Sequence, residues 1–171
     1  MGHSTHILSP LDFRSFPCPT YPEISLAVAT KSAVARHVDR IAPDCLHIAT
    51  EGPLGWAARG VAIDRGWPFT TAYHSRFPEY VQARVHVPLD WSYALLRRFH
   101  NAAQATLAPT PAIVTDLVQR GFTRARLWSR GVNLEAFTPQ GPRRPRSHVP
   151  VFLYVGRLAV EGFPGEPSVA G

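Results

Sequence analysis

The chain is 171 residues long, 45% hydrophobic and 18% charged, which suits one ordinary buried core in a globular α/β domain. No apolar run is long enough to span a membrane, and the first residues lack the apolar segment of a signal peptide. The formal net charge is +6, but among 18 basic residues Lys31 is the single lysine and only Arg143, Arg144 and Arg146 cluster, so nucleic-acid binding is not indicated and attraction to an anionic membrane surface fits better. Cys18 and Cys45 are the only cysteines, outside any CxxC spacing, and read as reduced thiols in the cytoplasm.

In chain order, His6-Ile7-Leu8 predicts a short strand, and residues 11–22 a loop rich in proline (Pro17, Pro19, Pro22). Residues 24–29 read as extended. Val34, Val38 and Ile41 at i, i+4 and i+7 predict a helix over 32–41, ended by Pro43. Residues 45–49 form an apolar run that stops at Thr50-Glu51-Gly52-Pro53. Leu54, Ala57, Ala58 and Val61 then give one helical face, with Gly66 as the stop. Residues 69–73 are β-branched and aromatic and predict the next strand. Strand, helix and strand make a parallel βαβ unit.

Residues 77–88 read as a short helix or loop. Asp90 is placed to cap a helix whose inner face is Trp91, Leu95, Phe99 and Ala102. Residues 105–108 predict a strand. Thr110-Pro111 opens a helix with Ile113, Leu117 and Val118 inward, ended at Gly121. Residues 124–128 predict a last strand, followed by the polar turn Ser129-Arg130-Gly131. Residues 140–150 have the composition of a linker, residues 151–155 read as a strongly apolar strand, and the pattern dissolves after Glu161.

In such sheets ligands sit at the carboxyl ends of the strands. Two of those ends carry the chemistry here. Thr50-Glu51-Gly52 precedes a helix N-terminus, where glycine admits close approach and free N–H groups attract anions or hydroxyls. Read structurally instead, Thr50 or Glu51 simply caps that helix. His74, beside Ser75 and Arg76, ends the next strand in a polar cluster where a ligand would lie. The structural reading is a strand-end histidine bonded to a backbone carbonyl. No histidine has metal-ligand spacing, His86 and His100 have no acidic or cysteine partner arranged with them, and Gly52-Pro53-Leu54-Gly55 is neither a Walker nor a dinucleotide fingerprint.

The series HIATEGPLG, FTTAYHSRFPEY, WSRGVNLEAFTP and VFLYVGRL, in this order and spacing, resembles glycosyltransferase family 4, over about residues 2–161. That family comprises retaining, nucleotide-sugar-dependent transferases of the GT-B class, and the wording is most similar to bacterial α-mannosyltransferase and sulfoquinovosyltransferase-like members. The resemblance implies an incomplete Rossmann-like acceptor-side domain over residues 1–139, lacking its first strand. A linker over 140–150 and the stub of a donor-binding domain over 151–171 would follow. It implies His74 as the catalytic-site residue near the transferring sugar. It implies Glu51, Gly52, Gly55, Arg76 and Tyr80 as substrate contacts, and Arg157 as the group that neutralises the donor diphosphate. Gly162 stands where the family has a lysine.

The implied partners are a nucleotide sugar and a lipid or glycan acceptor, with no metal or other cofactor and no nucleic acid. The implied location is the cytoplasm, at the inner face of the membrane. The chain alone is expected to be inactive. Two other readings stand beside this one, a non-catalytic acceptor- or partner-binding module and a different Rossmann-like nucleotide-sugar enzyme such as an epimerase.

Overall fold

A computed structural model describes residues 2–18, 21–74, 77–79, 82, 87–129 and 131–138, with backbone only for 21–24. The expected linker and the expected strand at 151–155 lie outside the described residues.

A short 3₁₀ turn, Pro10–Asp12, opens the described structure, with Ser9 and Asp12 forming a reciprocal capping box. Next comes a ribbon that the sequence reading did not anticipate. Strands β1 (Ser15–Cys18) and β2 (Tyr21–Ala27) pair antiparallel, where a loop was expected over most of that stretch. Proline does not exclude this, because each strand of a two-stranded ribbon has one edge whose N–H groups need no partner. The ladder shifts register between Pro17 and Cys18. The strand expected at His6-Ile7-Leu8 does not form; Ile7 is exposed, and Leu8 packs as a single side chain beside Val34, Val38 and Val61.

Helix α1 (Lys31–Ile41) is capped by Thr30, whose hydroxyl accepts from the Ala33 N–H at 3.2 Å. Ala42 ends it in the left-handed region, at φ 47°, just before Pro43. Its buried stripe, Val34 and Val38, meets Val61 of α2 (Pro53–Asp64). Lys31–Asp64 and Arg65–Asp39 ion pairs border this contact, both substantially exposed and so worth little. Gly66, at φ 62°, follows α2 where the sequence places the stop.

Strands β3 (Leu46–Ile48), β4 (Phe69–Ala72), β5 (Ala105–Ala108) and β6 (Ala125–Leu127) form one parallel sheet in the order β3-β4-β5-β6. Helices α2, α3 (Leu89–His100) and α4 (Pro111–Gln119) connect successive strands, as a Rossmann-like α/β fold requires. Two apolar clusters pack between the sheet and these helices. One holds Ile48, Ala62, Phe69, Phe99 and Ala103, the other Tyr73, Tyr93, Leu96, Ala108, Leu117 and Phe122.

Helix α3 departs from expectation in two ways. It starts one residue before Asp90, with Pro88 at the cap position, so Asp90 lies within the first turn and favours the helix dipole there. The buried face is Tyr93, Leu96, Phe99 and His100, whereas Trp91 is 73% and Leu95 54% exposed. Both stripes have helical spacing. The one that includes Tyr and His is buried because their polar tips find partners, described below. In α4, Thr110 caps and Pro111 opens the helix as expected. Leu117 is buried, but Val118 lies about 100° further round and is exposed.

The end of α3 is fastened to the approach of β6. Asn101 donates its side-chain amide to the Gly121 carbonyl at 3.0 Å and accepts from the Thr123 N–H at 3.1 Å. Arg97 donates to the Arg120 carbonyl, and Arg124 to the Ala103 carbonyl.

Candidate active site

Parallel register brings all four strand ends to one edge of the sheet. Ile48 is paired with Thr71, and Glu51 and His74 each stand three residues beyond that pair. The sheet edge therefore presents Glu51 and Gly52 after β3 and His74 after β4, followed by Pro109 after β5 and Trp128 after β6.

Gly52 is the N-cap residue of α2, and no side chain caps this helix. The structural reading in which Thr50 or Glu51 does so is thus not the one adopted. A Cβ built on Gly52 would meet nothing within 4 Å, and since Pro53 at the first helical position has no N–H, the free first-turn donors begin at Leu54 and Gly55. Gly55 is different. It is buried in the first turn of α2, and a Cβ there would lie 1.9 Å from the Thr50 carbonyl oxygen. Its missing side chain lets the helix sit against the β3–α2 turn; the structure shows no opening at this residue.

The Glu51 carboxylate turns to His100 instead of the helix. Glu51 Oε1 lies 3.0 Å from His100 Nε2, and the Glu51 side chain keeps 24% of its surface exposed while His100 has none. On its other side His100 Nδ1 lies 2.8 Å from Thr71 Oγ1, which is 3.3 Å from Thr106 Oγ1. The imidazole is held among the rings of Phe99, Tyr73 and Phe122, with centroids at 5.1, 6.2 and 5.7 Å. The expectation that His100 lacks an acidic partner is therefore corrected. Its partner lies 49 residues away, where local spacing carries no information. One signal did exist. Tyr93, Leu96 and His100 stand at i, i+3 and i+7, which marks His100 as inward-facing.

His74 is exposed at the end of β4 and close to His47. Partial burial first, and then the neighbouring His74, hold the His47 imidazole below its ordinary value. His47 Nδ1 is 2.8 Å from Thr70 Oγ1, and its ring meets Trp128 edge-on at 6.2 Å.

A second polar group lies behind this edge. The Tyr93 hydroxyl donates to Glu79 Oε1 at 2.8 Å, and the Arg120 guanidinium sits 4.0 Å over the Tyr93 ring while bonding Asp116. Burial pushes the Tyr73 hydroxyl well above its ordinary value, with Tyr93 and Glu79 adding to the effect.

Of the expected site residues, the structure brings Glu51, Gly52 and His74 to one edge and puts Gly55 in the packing beneath it. Arg76, Tyr80 and Arg157 lie outside the described residues. Among the described residues no group of three or more His, Cys, Asp or Glu side chains could hold a metal ion, and no helix is long and apolar enough to cross a membrane.

The description Glycosyltransferase Family 4 matches residues 3–136. A sulfoquinovosyl transferase of Arabidopsis thaliana is 31% identical over 163 residues, covering 86% of this chain and 31% of that protein. A GDP-mannose-dependent alpha-mannosyltransferase of Mycobacterium tuberculosis is 29% identical over 126 residues, 70% of this chain and 33% of that protein. One of the same description from Corynebacterium glutamicum is 30% identical over 128 residues, 70% of this chain and 31% of that protein. The chain spans about a third of the length of these relatives. No solved structure matches it. With a family match across residues 3–136 and the parallel α/β sheet described above, the chain belongs to Glycosyltransferase Family 4.

Proposed function

We propose that this chain supplies the acceptor-side half of a retaining glycosyltransferase that moves a hexose from a nucleotide sugar to a lipid or glycan acceptor. The observation that carries the reading is the convergence of Glu51, Gly52 and His74 on the carboxyl edge of the sheet, in a chain matched to the family over residues 3–136. In this reading the Glu51 carboxylate accepts a hydrogen bond from a sugar hydroxyl. The open N-terminus of α2 at Gly52 admits a hydroxyl or anionic group close to the backbone. His74 hydrogen-bonds the transferring sugar or the departing phosphate oxygen. Arg76 and Tyr80 complete the sugar contacts, and Arg157 neutralises the diphosphate in a donor-side domain. The reaction so drawn needs no metal or other cofactor. The names of the relatives, a GDP-mannose-dependent alpha-mannosyltransferase and a sulfoquinovosyl transferase, support a sugar-nucleotide chemistry of this kind. Work at the cytoplasmic face of a membrane fits the net charge of +6.

The test is calorimetric titration of the purified chain with mannobiose, with a short-chain diacylglycerol and with GDP-mannose, beside a transfer assay. Saturable binding of an acceptor, weak or no binding of GDP-mannose and no transfer by the chain alone are expected. Binding of GDP-mannose without either acceptor, or glycosyl transfer by the chain on its own, would overturn the reading.

A further inference from the structure

We propose that His100 is a positioning residue, which aims the Glu51 carboxylate at a hexose hydroxyl and is itself held in place by the hydroxyls of Thr71 and Thr106. The ligand class rests on the proposed function; the geometry stands by itself.

The argument starts from the donors and acceptors available. A carboxylate can only accept, so His100 Nε2 must carry a proton to bond Glu51 Oε1 at 3.0 Å. On the other side of the ring Nδ1 lies 2.8 Å from Thr71 Oγ1, and the Thr71 hydroxyl donates to Thr106 across 3.3 Å. With its one proton used there, Thr71 accepts from Nδ1, so the ring is held at both nitrogens.

The surroundings leave His100 no competing partner of like strength. Tyr73 of β4, Phe99 of α3 and Phe122 before β6 present rings to it. Tyr73 is kept neutral by burial, and Arg59 of α2 donates to the carbonyls of Phe99 and Arg98. Glu51 is the one carboxylate bonded to the imidazole among the described residues. Held by one oxygen, and still 24% exposed, Glu51 keeps its remaining acceptor capacity for a ligand at the sheet edge.

Two substitutions separate this from a bland structural tie. Gln mimics the Nε2 side of the imidazole, and Asn the Nδ1 side. His100→Gln retains the donor to Glu51 and loses the bond to Thr71; His100→Asn does the reverse. Each removes one buried hydrogen bond, and because the bond to the Glu51 carboxylate is the stronger, the thermal melts measure the structural cost of each variant separately from its binding. The full chain and both variants are titrated with methyl α-D-mannopyranoside by NMR shift perturbation, with thermal melts as controls. The expected result is binding by the parent and by His100→Gln, and an affinity about tenfold weaker in His100→Asn at similar melting temperature. Equal affinities, or equal losses, in the two variants overturn the positioning role while leaving the glycosyl-transfer reading intact. A parent chain that does not bind the probe overturns the proposal together with that reading. Long-range nitrogen–proton correlation supplies a second measurement, with Nε2 protonated; a ring protonated at Nδ1 alone also overturns it.

Discussion

Tyr93 and Glu79 are joined by a hydrogen bond of 2.8 Å between the phenol of α3 and a carboxylate in the segment that follows β4. The bond gives a buried tyrosine a polar partner and ties α3 to the segment that holds Glu79. Tyr93→Phe leaves the Glu79 oxygen without its donor in a part-buried place. A hydrogen bond to a charged group is worth about 2 kcal/mol, so melting should fall by about 4–8 °C. Thermal denaturation at neutral pH checks this, and an unchanged transition would show that water replaces the phenol freely.

The two glycines of the β3–α2 turn should behave oppositely. Gly55→Ala drives a methyl into the Thr50 carbonyl, since the Cβ would lie 1.9 Å from that oxygen. Overpacking of this kind costs about 1–3 kcal/mol. Gly52→Ala meets open space at an ordinary φ of −68° and should change stability by less than about 0.5 kcal/mol. Denaturant unfolding of both variants compares them directly. Gly52→Ala should instead weaken ligand binding, because the methyl occupies the approach to the α2 N-terminus.

Leucines 95 and 96 test which face of α3 is buried. Leu96 is 3% exposed and Leu95 54%. Leu96→Ala should cost about 2–4 kcal/mol and Leu95→Ala under about 1 kcal/mol. Chemical denaturation of the pair gives the answer, and a larger loss at Leu95 would contradict the described packing.

Alkaline pH should destabilise the fold through Tyr73. Its hydroxyl is buried beside that of Tyr93, and burial first, then Tyr93, raise its pKa above the ordinary value of 10.0. The folded chain therefore holds a proton that the unfolded chain releases. That contribution is fully present below about pH 10 and is lost as pH rises from there toward the folded pKa. Tyr73→Phe should flatten this limb of the stability curve. At pH 7 it should alter stability by about 1 kcal/mol or less, because at most one neutral hydrogen bond, to Tyr93, is lost. Urea denaturation across the alkaline range reads both effects.

The parts legible in the sequence were those governed by short-range rules. The apolar runs at β3, β4 and β5, the Thr110-Pro111 helix start and the stop at Gly66 all appear within a residue or two of where local patterns put them. The edge carrying Glu51, Gly52 and His74 followed from parallel topology. What escaped was decided at long range. His100 and Tyr93 count as polar in any apolar stripe, and partners elsewhere in the chain, Glu51 and Thr71 for one and Glu79 for the other, make their burial tolerable. That is why the stripe of Trp91 and Leu95 was preferred. The β1–β2 ribbon escaped for another reason, since proline reads as a loop signal until a free strand edge accommodates it.

The clasp between α3 and the start of β6 has a kinetic meaning. β6 has three residues and pairs with β5 alone among the described strands. A ladder so short would fray early if nothing else restrained it. Asn101 grips Gly121 and Thr123, while Arg97 and Arg124 grip carbonyls across the same gap. The last turn of the helix and the first residues of the strand consequently open as one event. Amide protons on both sides of the gap share a single exchange clock, set by side chains and not by the strand that they hold in place.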